Sequence, residues 1–406
     1  MKRILGLIAL LTSLHGTSVQ AQYIGNLSLS EQATFSLITC GRGDAIYDSF
    51  GHSVIRLQDS VNQIDLVYNY GIFDFNQTNF ILNYAMGELY YRMGRYGYPY
   101  FKQSYIEANR SIREQVLNLN QREKQQLFAF LEKNNLPENQ NYYYDYFYDN
   151  CSTRIRDALE QVLGDDLDYN LNFIQTKYSI RQLVDLYVGN QPWGDFAIDL
   201  CLGLPIDQVA KPRTYLYLPF YLEKAFDQAT VARKSNQEPL VKNTEVIYQA
   251  DETKRVKAGY ITPLFCFSLV LMLSAAVSFY DLYAKKVSRW FDALLFTVLG
   301  LTGTLLVFLW LFTGHQAADN NLNVLWANPL YLAALAGVVT ASGKKWYRYL
   351  IAVISLCCAL VAIGWFMLPQ QFNFAILPLL GAVLARGHVN FWQPKKINQA
   401  AYETMG

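Results

Sequence analysis

Apolar residues are distributed very unevenly along this chain, and that distribution constrains the fold more than any single motif. Of the 406 residues, 52% are hydrophobic and only 17% are charged, which is too apolar for an ordinary soluble protein. The apolar residues are concentrated in 258–391, whereas 22–257 has the mixed composition of a globular domain. We therefore expect an α+β globular domain followed by an all-α membrane domain.

Five stretches of the second region are long and apolar enough to predict transmembrane helices. They are 260–281, 290–313, 325–341, 348–367 and 372–386. If the first span starts outside the cytoplasm, the outward loops are 314–324 and 368–371, and neither contains Lys or Arg. The inward loops carry Lys285, Lys344 and their basic neighbours, so the charge pattern favours an outward-facing N-terminal domain.

The N-terminus has the three parts of a cleavable signal peptide. Lys2 and Arg3 precede an apolar core at 4–14, and Val19-Gln20-Ala21 supplies a small-residue cleavage site. An uncleaved anchor helix is the alternative, but the core is short for a membrane span. The predicted organisation is a signal peptide at 1–21, a periplasmic catalytic domain at 22–257, a transmembrane domain at 258–391 and a cytoplasmic tail at 392–406.

Between the signal peptide and the first span, the sequence contains one histidine, His52. The same region contains three cysteines, Cys40, Cys151 and Cys201. A cysteine nucleophile needs a base, so thiol chemistry in this domain would pair Cys151 with His52. Of three cysteines in an oxidising compartment, we expect Cys40 and Cys201 to form a disulfide and Cys151 to stay free; three free thiols are the alternative.

Alternating residues predict a β-hairpin over 50–72, with a turn at 59–62. A four-residue loop pairs Gln58 with Gln63 and places His52 opposite Asn69 on one face of the sheet. Asn69 would then hold the imidazole in one tautomer, as the third member of a Cys-His-Asn site. If the loop lies elsewhere in the sequence, the register changes and Asp65 takes the place of Asn69 as the residue that holds the imidazole.

Two helices are predicted from capping residues. Asn120 and Glu123 form a capping box before one of them. Asn150 precedes the other, in which Ile155, Leu159 and Leu163 lie on one face. Cys151 would open this second helix, where backbone N–H groups and the helix dipole favour a thiolate and an oxyanion.

These features together resemble the circularly permuted papain-like fold, in which the histidine strand precedes the cysteine helix. The lecithin:retinol acyltransferase group and permuted NlpC/P60 relatives share that fold. Over nearly its whole length, the chain is similar to the Lnb-type bacterial lipoprotein N-acyltransferases. The motifs that carry this resemblance are Thr39-Cys40-Gly41, Phe50-Gly51-His52-Ser53, Tyr68-Asn69-Tyr70-Gly71, Asp149-Asn150-Cys151-Ser152-Thr153, Thr313-Gly314-His315 and Asn321-Leu322-Asn323. One departure is Arg42, where the family pattern has proline.

The resemblance implies an inner-membrane enzyme, with its catalytic domain in the periplasm and no cofactor. Its acyl donor would be a phospholipid, and its acceptor the α-amine of a diacylglyceryl-modified lipoprotein cysteine. Cys151, His52 and Asn69 would be catalytic. We expect substrate contacts from a further set: Asn150, Ser152, Tyr70, His315 and Asn323. For His315 the alternative is a solvated loop cap.

Other function classes fit less well. A cell-wall peptidase or amidase could use the same Cys-His pair, and a membrane-anchored scaffold would need no chemistry. A zinc hydrolase lacks an HExxH motif, and a serine hydrolase lacks GxSxG. Lys and Arg number 34 against 33 for Asp and Glu, so there is no cationic excess for nucleic acid.

Overall fold

The protein is described from a computed structural model. The model describes residues 24, 26–73, 78–88, 90–234, 236–256, 258–340 and 344–403. The predicted signal peptide, 1–21, lies outside these residues.

The N-terminal domain is built on an antiparallel sheet of seven strands, in the order β10-β5-β1-β2-β3-β4-β6; a second sheet has the order β7-β8-β9. The strands are β1 (Thr34–Cys40), β2 (His52–Asp59), β3 (Ile64–Ile72), β4 (Tyr90–Gly97), β5 (Ile112–Leu117), β6 (Asn141–Tyr143), β7 (Leu167–Asp168), β8 (Thr230–Arg233), β9 (Asn236–Pro239) and β10 (Val241–Tyr248). The predicted hairpin strands, β2 and β3, therefore lie near the centre of the main sheet.

Helices cover this sheet and connect its strands. They are α1 (Phe80–Met86), α2 (Tyr98–Glu107), α3 (Gln121–Asn134), α4 (Cys151–Leu163), α5 (Ile180–Val188), α6 (Pro192–Cys201) and α7 (Pro219–Gln228). The capping box predicted at Asn120 is present at the start of α3. The predicted apolar face of α4 is correct too, because Ile155, Leu159 and Leu163 are buried in the main core with sheet residues. The α+β prediction for this domain is confirmed.

The C-terminal region is helical. Its long helices are α8 (Pro263–Tyr283), α9 (Arg289–Phe312), α10 (Leu330–Thr340), α11 (Lys345–Ile363) and α12 (Ile376–Glu403). Within the described residues, four segments are long and apolar enough to cross a membrane: α8, α9, Leu322–Thr340 and α11. The fifth predicted stretch forms the start of α12, where Arg386, His388 and Asn390 interrupt the apolar sequence. This helix packs along α8, and Arg386 is buried there in ion pairs with Asp281 and Asp292.

Hydrogen bonds join the two domains where α6 ends. The side chain of Asn321 donates to the carbonyl oxygen of Leu200, at 2.8 Å. Gln370 donates to the carbonyl oxygen of Leu202 and to Asn321. Each of these donors comes from a predicted outward loop of the helical domain or its edge. The loops therefore fix the N-terminal domain on one end of the helical bundle.

Candidate functional site

Cys151 is the first residue of α4, and a polar cap fixes its position. The side-chain oxygen of Asn150 accepts hydrogen bonds from the N–H groups of Ser152 and Thr153, both at 3.0 Å. The amide nitrogen of Asn150 donates to the carbonyl oxygens of Tyr146 and Tyr217. Because α4 packs on the sheet, this cap holds Cys151, which is 5% exposed, against the end of the strands.

His52 opens β2, and its Nε2 atom lies 2.7 Å from Oδ1 of Asn69 on β3. The predicted contact is therefore present, but the predicted register is wrong. Ile55 pairs with Tyr68 and Asp59 with Ile64, so the loop is 60–63 and the pairing is shifted by two residues. Side chains alternate between faces with a period of two, so a two-residue shift keeps Asn69 on the face of His52.

Asp65, the alternative third residue, belongs to a different network. Its carboxylate accepts two hydrogen bonds from Arg56, at 2.8 and 3.0 Å. The same guanidinium group also pairs with Glu114. This carboxylate is therefore committed to a structural ion pair on the sheet, and Asn69 is the residue that contacts the imidazole.

The Cys151 thiol and the His52 imidazole interact, and each group changes the pKa of the other. Burial raises the pKa of Cys151, but His52 and hydrogen bonds from Ser53 and Ser152 outweigh burial, and the net pKa is lowered. Burial lowers the pKa of His52, and the Cys151 charge with the bond to Asn69 outweighs it, so the net pKa is raised. Both directions favour a thiolate–imidazolium pair.

The backbone donors near the thiol differ from those expected at the start of α4. The side chain of Asn150 accepts hydrogen bonds from the N–H groups of Ser152 and Thr153, so neither of them is open to a ligand. The cap does not use the N–H of Cys151, which is therefore the candidate donor at this helix end. Hydrogen bonding from the backbone N–H of Ser53, on β2, also lowers the pKa of Cys151, which makes this N–H the second candidate donor. Sequence reasoning missed Ser53, although its position directly after His52 was a usable signal.

Gly71 and Tyr70 form the wall of β3 behind Cys151. Gly71 has φ +87°, and a Cβ atom built there would lie 3.9 Å from Cys151 Cβ and 3.3 Å from the Tyr144 ring. Tyr70 is 2% exposed and meets Tyr142 edge-on. It also lines a surface pocket of about 250 Å³ beside α4. The glycine permits the close approach of β3 to the thiol.

The other residues expected to contact substrate lie at three places. Asn150 and Ser152 are buried, and Ser152 bonds to the Ser53 hydroxyl at 3.4 Å. Asn323 is buried at the domain junction, where its amide donates to the Asp199 carbonyl and accepts from Trp326. His315 lies at the end of α9, with Nε2 2.9 Å from the carbonyl oxygen of Tyr84. Asn323 and His315 thus bond to protein groups in the structure.

The predicted disulfide is not formed, because Cys40 and Cys201 are both free thiols. Cys40 ends β1 directly opposite His52. Cys201 ends α6, beside the residues that contact the helical domain. Burial raises the pKa of Cys40 to about 12, so this neighbour of His52 is a protonated thiol.

The described residues contain one acidic group compact enough to hold a cation: Asp185, Asp195 and Asp199, whose carboxylate oxygens lie within 4.8 Å of one another. Protein donors already bond to this group. Asn373 donates to Asp195 and Asp199, both at 3.0 Å, and Arg181 pairs with Asp199 at 2.9 Å. The cluster lies on α5 and α6 at the domain junction, where its hydrogen bonds with Asn373 join the N-terminal domain to the helical domain.

Two family models match the chain in succession. The first, described as the Lnb N-terminal periplasmic domain, matches residues 20–185. The second, described as the Lnb transmembrane domain, matches residues 254–397. Cys151, His52 and Asn69 all fall inside the first match. No curated protein and no solved structure matches the chain.

Proposed function

Because the chain belongs to the Lnb family, as a membrane protein with a periplasmic domain and a transmembrane domain, we propose that it is a lipoprotein N-acyltransferase. It would move an acyl chain from a phospholipid to the α-amine of a diacylglyceryl-cysteine lipoprotein. One observation carries this proposal: a buried Cys151–His52–Asn69 arrangement stands on a domain that is fixed to membrane-type helices. Thiol chemistry beside a bilayer suits substrates that are both lipids.

In the first half-reaction, Cys151 attacks the ester carbonyl of the phospholipid. Asn69 Oδ1 accepts from the Nε2–H of His52, which leaves Nδ1 as the ring nitrogen for the thiol proton. The new carbon–sulfur bond gives a tetrahedral oxyanion, stabilised by the N–H groups of Cys151 and Ser53. Collapse breaks the carbon–oxygen bond, and His52 protonates the departing glycerol oxygen. The products are a lysophospholipid and a Cys151 thioester.

In the second half-reaction, the neutral α-amine of the lipoprotein cysteine attacks the thioester carbonyl. His52 takes the proton that the nitrogen loses, and the carbon–sulfur bond breaks. The products are an amide on the lipoprotein and a Cys151 thiolate next to an imidazolium. This is the charge state that the site favours before the first step, so no further proton transfer is needed to restart the cycle.

The low exposure of Cys151 supports transfer to an amine over hydrolysis. Cys151 is 5% exposed, and the aromatic residues Tyr70, Tyr142 and Tyr144 pack around the start of α4. A thioester formed there is shielded from bulk water, which would otherwise release free fatty acid. An amine brought in on a lipid-anchored acceptor would reach it by displacing the donor's lysophospholipid.

We propose a chain organisation of four parts. Residues 1–21 are removed as a signal peptide, 22–257 form the periplasmic catalytic domain, 258–391 the transmembrane domain of the inner membrane, and 392–406 a cytoplasmic tail. The basic inward loops and uncharged outward loops support this orientation.

The test is reconstitution of the full chain in phospholipid vesicles with a diacylglyceryl lipopeptide. We expect the lipopeptide to gain the mass of one acyl chain on its α-amine, with a matching amount of lysophospholipid. Cys151→Ala should abolish both products, whereas Cys201→Ala should retain them. Cleavage of a cell-wall peptide with no acyl gain on the lipopeptide would favour a peptidase and contradict the proposal.

A further inference from the structure

Helix α1 is held against the end of a candidate membrane span. The N–H of Gly314, two residues beyond α9, donates to the carbonyl oxygen of Met86 at 2.8 Å. His315 approaches the carbonyl oxygen of Tyr84 at 2.9 Å. Both acceptors belong to the last turn of α1, where carbonyl groups lack the regular partners of the helix interior. Gly87 N–H also donates to the Tyr84 carbonyl oxygen. The helix end is therefore capped in part by its own glycine and in part by the membrane domain.

This contact is close and depends on a glycine. Gly87, which ends α1, has φ +74°, and a Cβ atom built there would lie 3.1 Å from the backbone of Gly314 and His315. Such spacing is tighter than ordinary van der Waals contact, so the backbones of the two domains touch directly. The height of α1 relative to α9 is thus fixed.

The residues of α1 and of the adjoining end of α9 that face outward are apolar. Leu82 is 57% exposed and Tyr84 is 60% exposed. At the end of α9, Leu311 and Phe312 are 60% and 64% exposed. In the sequence of α1 the only polar residue is Asn83. A short helix of this composition is expected to lie in the interface, with its apolar side chains among lipid tails.

We propose that α1 lies in the outer leaflet of the bilayer beside α9, and that the phospholipid donor reaches the catalytic site past this helix. The exposed side chain of Leu82 then contacts membrane lipid. This follows from the contact between α1 and α9, since the exposed end of that span must itself lie at the membrane surface.

The same helix follows the catalytic strand in the chain. Its first residue, Phe80, comes eight positions after Ile72, the last residue of β3, and β3 carries Asn69 and Gly71. The strand after α1, β4, pairs with β3 over the Asn69 region. A lipid that leaves the leaflet beside α1 therefore meets the strand that borders Cys151. This path rests on the proposed function, whereas the insertion of α1 does not.

Photocrosslinking tests the insertion without requiring activity. p-Benzoylphenylalanine would replace Leu82, or Val61 as the control, in the full chain reconstituted in phosphatidylethanolamine and phosphatidylglycerol vesicles. Val61 is 61% exposed, in the loop at the other end of β2 from His52. We expect the mass of one phospholipid to be added at position 82 and none at position 61. No adduct at position 82, or equal adducts at both, would overturn the proposal.

The path is tested with two donors, vesicle phospholipid and a short-chain phospholipid dissolved as monomers. Leu82→Asp should slow Cys151 acylation from vesicles by about tenfold or more, because a charge is costly at the interface. Acylation from the soluble donor should be unchanged, and Val61→Asp should alter neither rate. Equal slowing with both donors would show that Leu82 only maintains the fold. Absence of acylation in the unmodified protein would instead refute the proposed function.

Discussion

His52 and Asn69 share a hydrogen bond of 2.7 Å although they are not directly opposite each other in the sheet. The bond joins the first residue of β2 to β3 just before Gly71, whose φ of +87° breaks the regular pairing. With Nε2 engaged in this way, Nδ1 is the ring nitrogen left for the thiol proton of Cys151. The bond therefore sets the tautomer on which the chemistry depends.

Asn69→Ala removes the acceptor for the Nε2–H of His52. We expect the rate of Cys151 acylation to fall by about 10- to 100-fold, because the imidazole loses its orientation while the nucleophile remains. The measurement is the initial rate of thioester formation by intact mass. Asn243→Ala is the matched control, since the side chain of this exposed asparagine on β10 donates to Glu245, far from the thiol. Equal rates in both variants would exclude Asn69 as a positioning residue.

The thiolate–imidazolium pair predicts an unusual pH dependence of thiol reactivity. The pKa of Cys151 is lowered, mainly through His52 acting against burial, so the thiolate persists as pH falls below the ordinary thiol range and is lost only at the lowered pKa. Iodoacetamide should therefore modify Cys151 at a lower pH than it modifies an ordinary exposed thiol. His52→Gln should move the reaction to alkaline pH. The same profile in both proteins would contradict the pairing.

Sequence alone predicted the local geometry of the candidate site correctly where a local rule was sufficient. The cap at Asn150, the apolar face of α4 and the shared face of His52 and Asn69 all depend on short-range periodicity. The register was wrong by two residues, because the loop is 60–63 and Asp59 pairs with Ile64. The side-chain carboxylate of Asp59 bonds to Ser30, at the start of the chain, and to the N–H groups of the turn. A partner so distant in sequence could not be inferred.

The expectations that failed or shifted all involve distant partners. The position of Asn323 is set by the carbonyl of Asp199, and that of His315 by the carbonyl of Tyr84, which is 231 residues away. The odd number of cysteines led us to predict a disulfide between Cys40 and Cys201, but both thiols are free. Cys40 lies in the main sheet, and Cys201 lies at the end of α6 beside the membrane helices. Composition does not carry such information.

Gly71→Ala would place a methyl group between β3 and the thiol. At φ +87° an L-residue is strained by about 1–2 kcal/mol, and the Cβ would crowd Tyr144 and Cys151. We expect a melting temperature several degrees lower and slower acylation. Gly97→Ala is the control, because φ is −63° there and nothing lies within 4 Å of the added carbon. A Gly71→Ala protein as stable and active as the control would contradict the close approach.

The junction cluster predicts a pH-dependent stability. Burial, with the charges of Asp199 and Asp195, raises the pKa of Asp185 to about 7 from 3.8. The folded protein therefore binds the extra proton, and stability declines as pH rises from about 4 to about 7.

Asp185→Asn should reduce this decline, and the part that remains belongs to Asp195, whose pKa burial and the charge of Asp199 raise to about 6. The melting temperature of the Asp185→Asn protein should exceed that of the unmodified protein at about pH 8 and match it at about pH 4. The exposed Asp165→Asn serves as the control in thermal unfolding of the full chain. A lower melting temperature for Asp185→Asn at the higher pH would show that the charged carboxylate stabilises the junction.

The central claim is that Cys151 carries the acyl chain, and intact mass of the purified protein tests it most directly. After incubation with phospholipid vesicles and no acceptor, we predict a mass increase of one fatty-acyl group that maps to Cys151. Neutral hydroxylamine should remove it, and Cys151→Ser should lack the hydroxylamine-sensitive adduct. An unmodified mass for the native protein, together with full lipoprotein N-acylation by Cys151→Ala, would contradict the account.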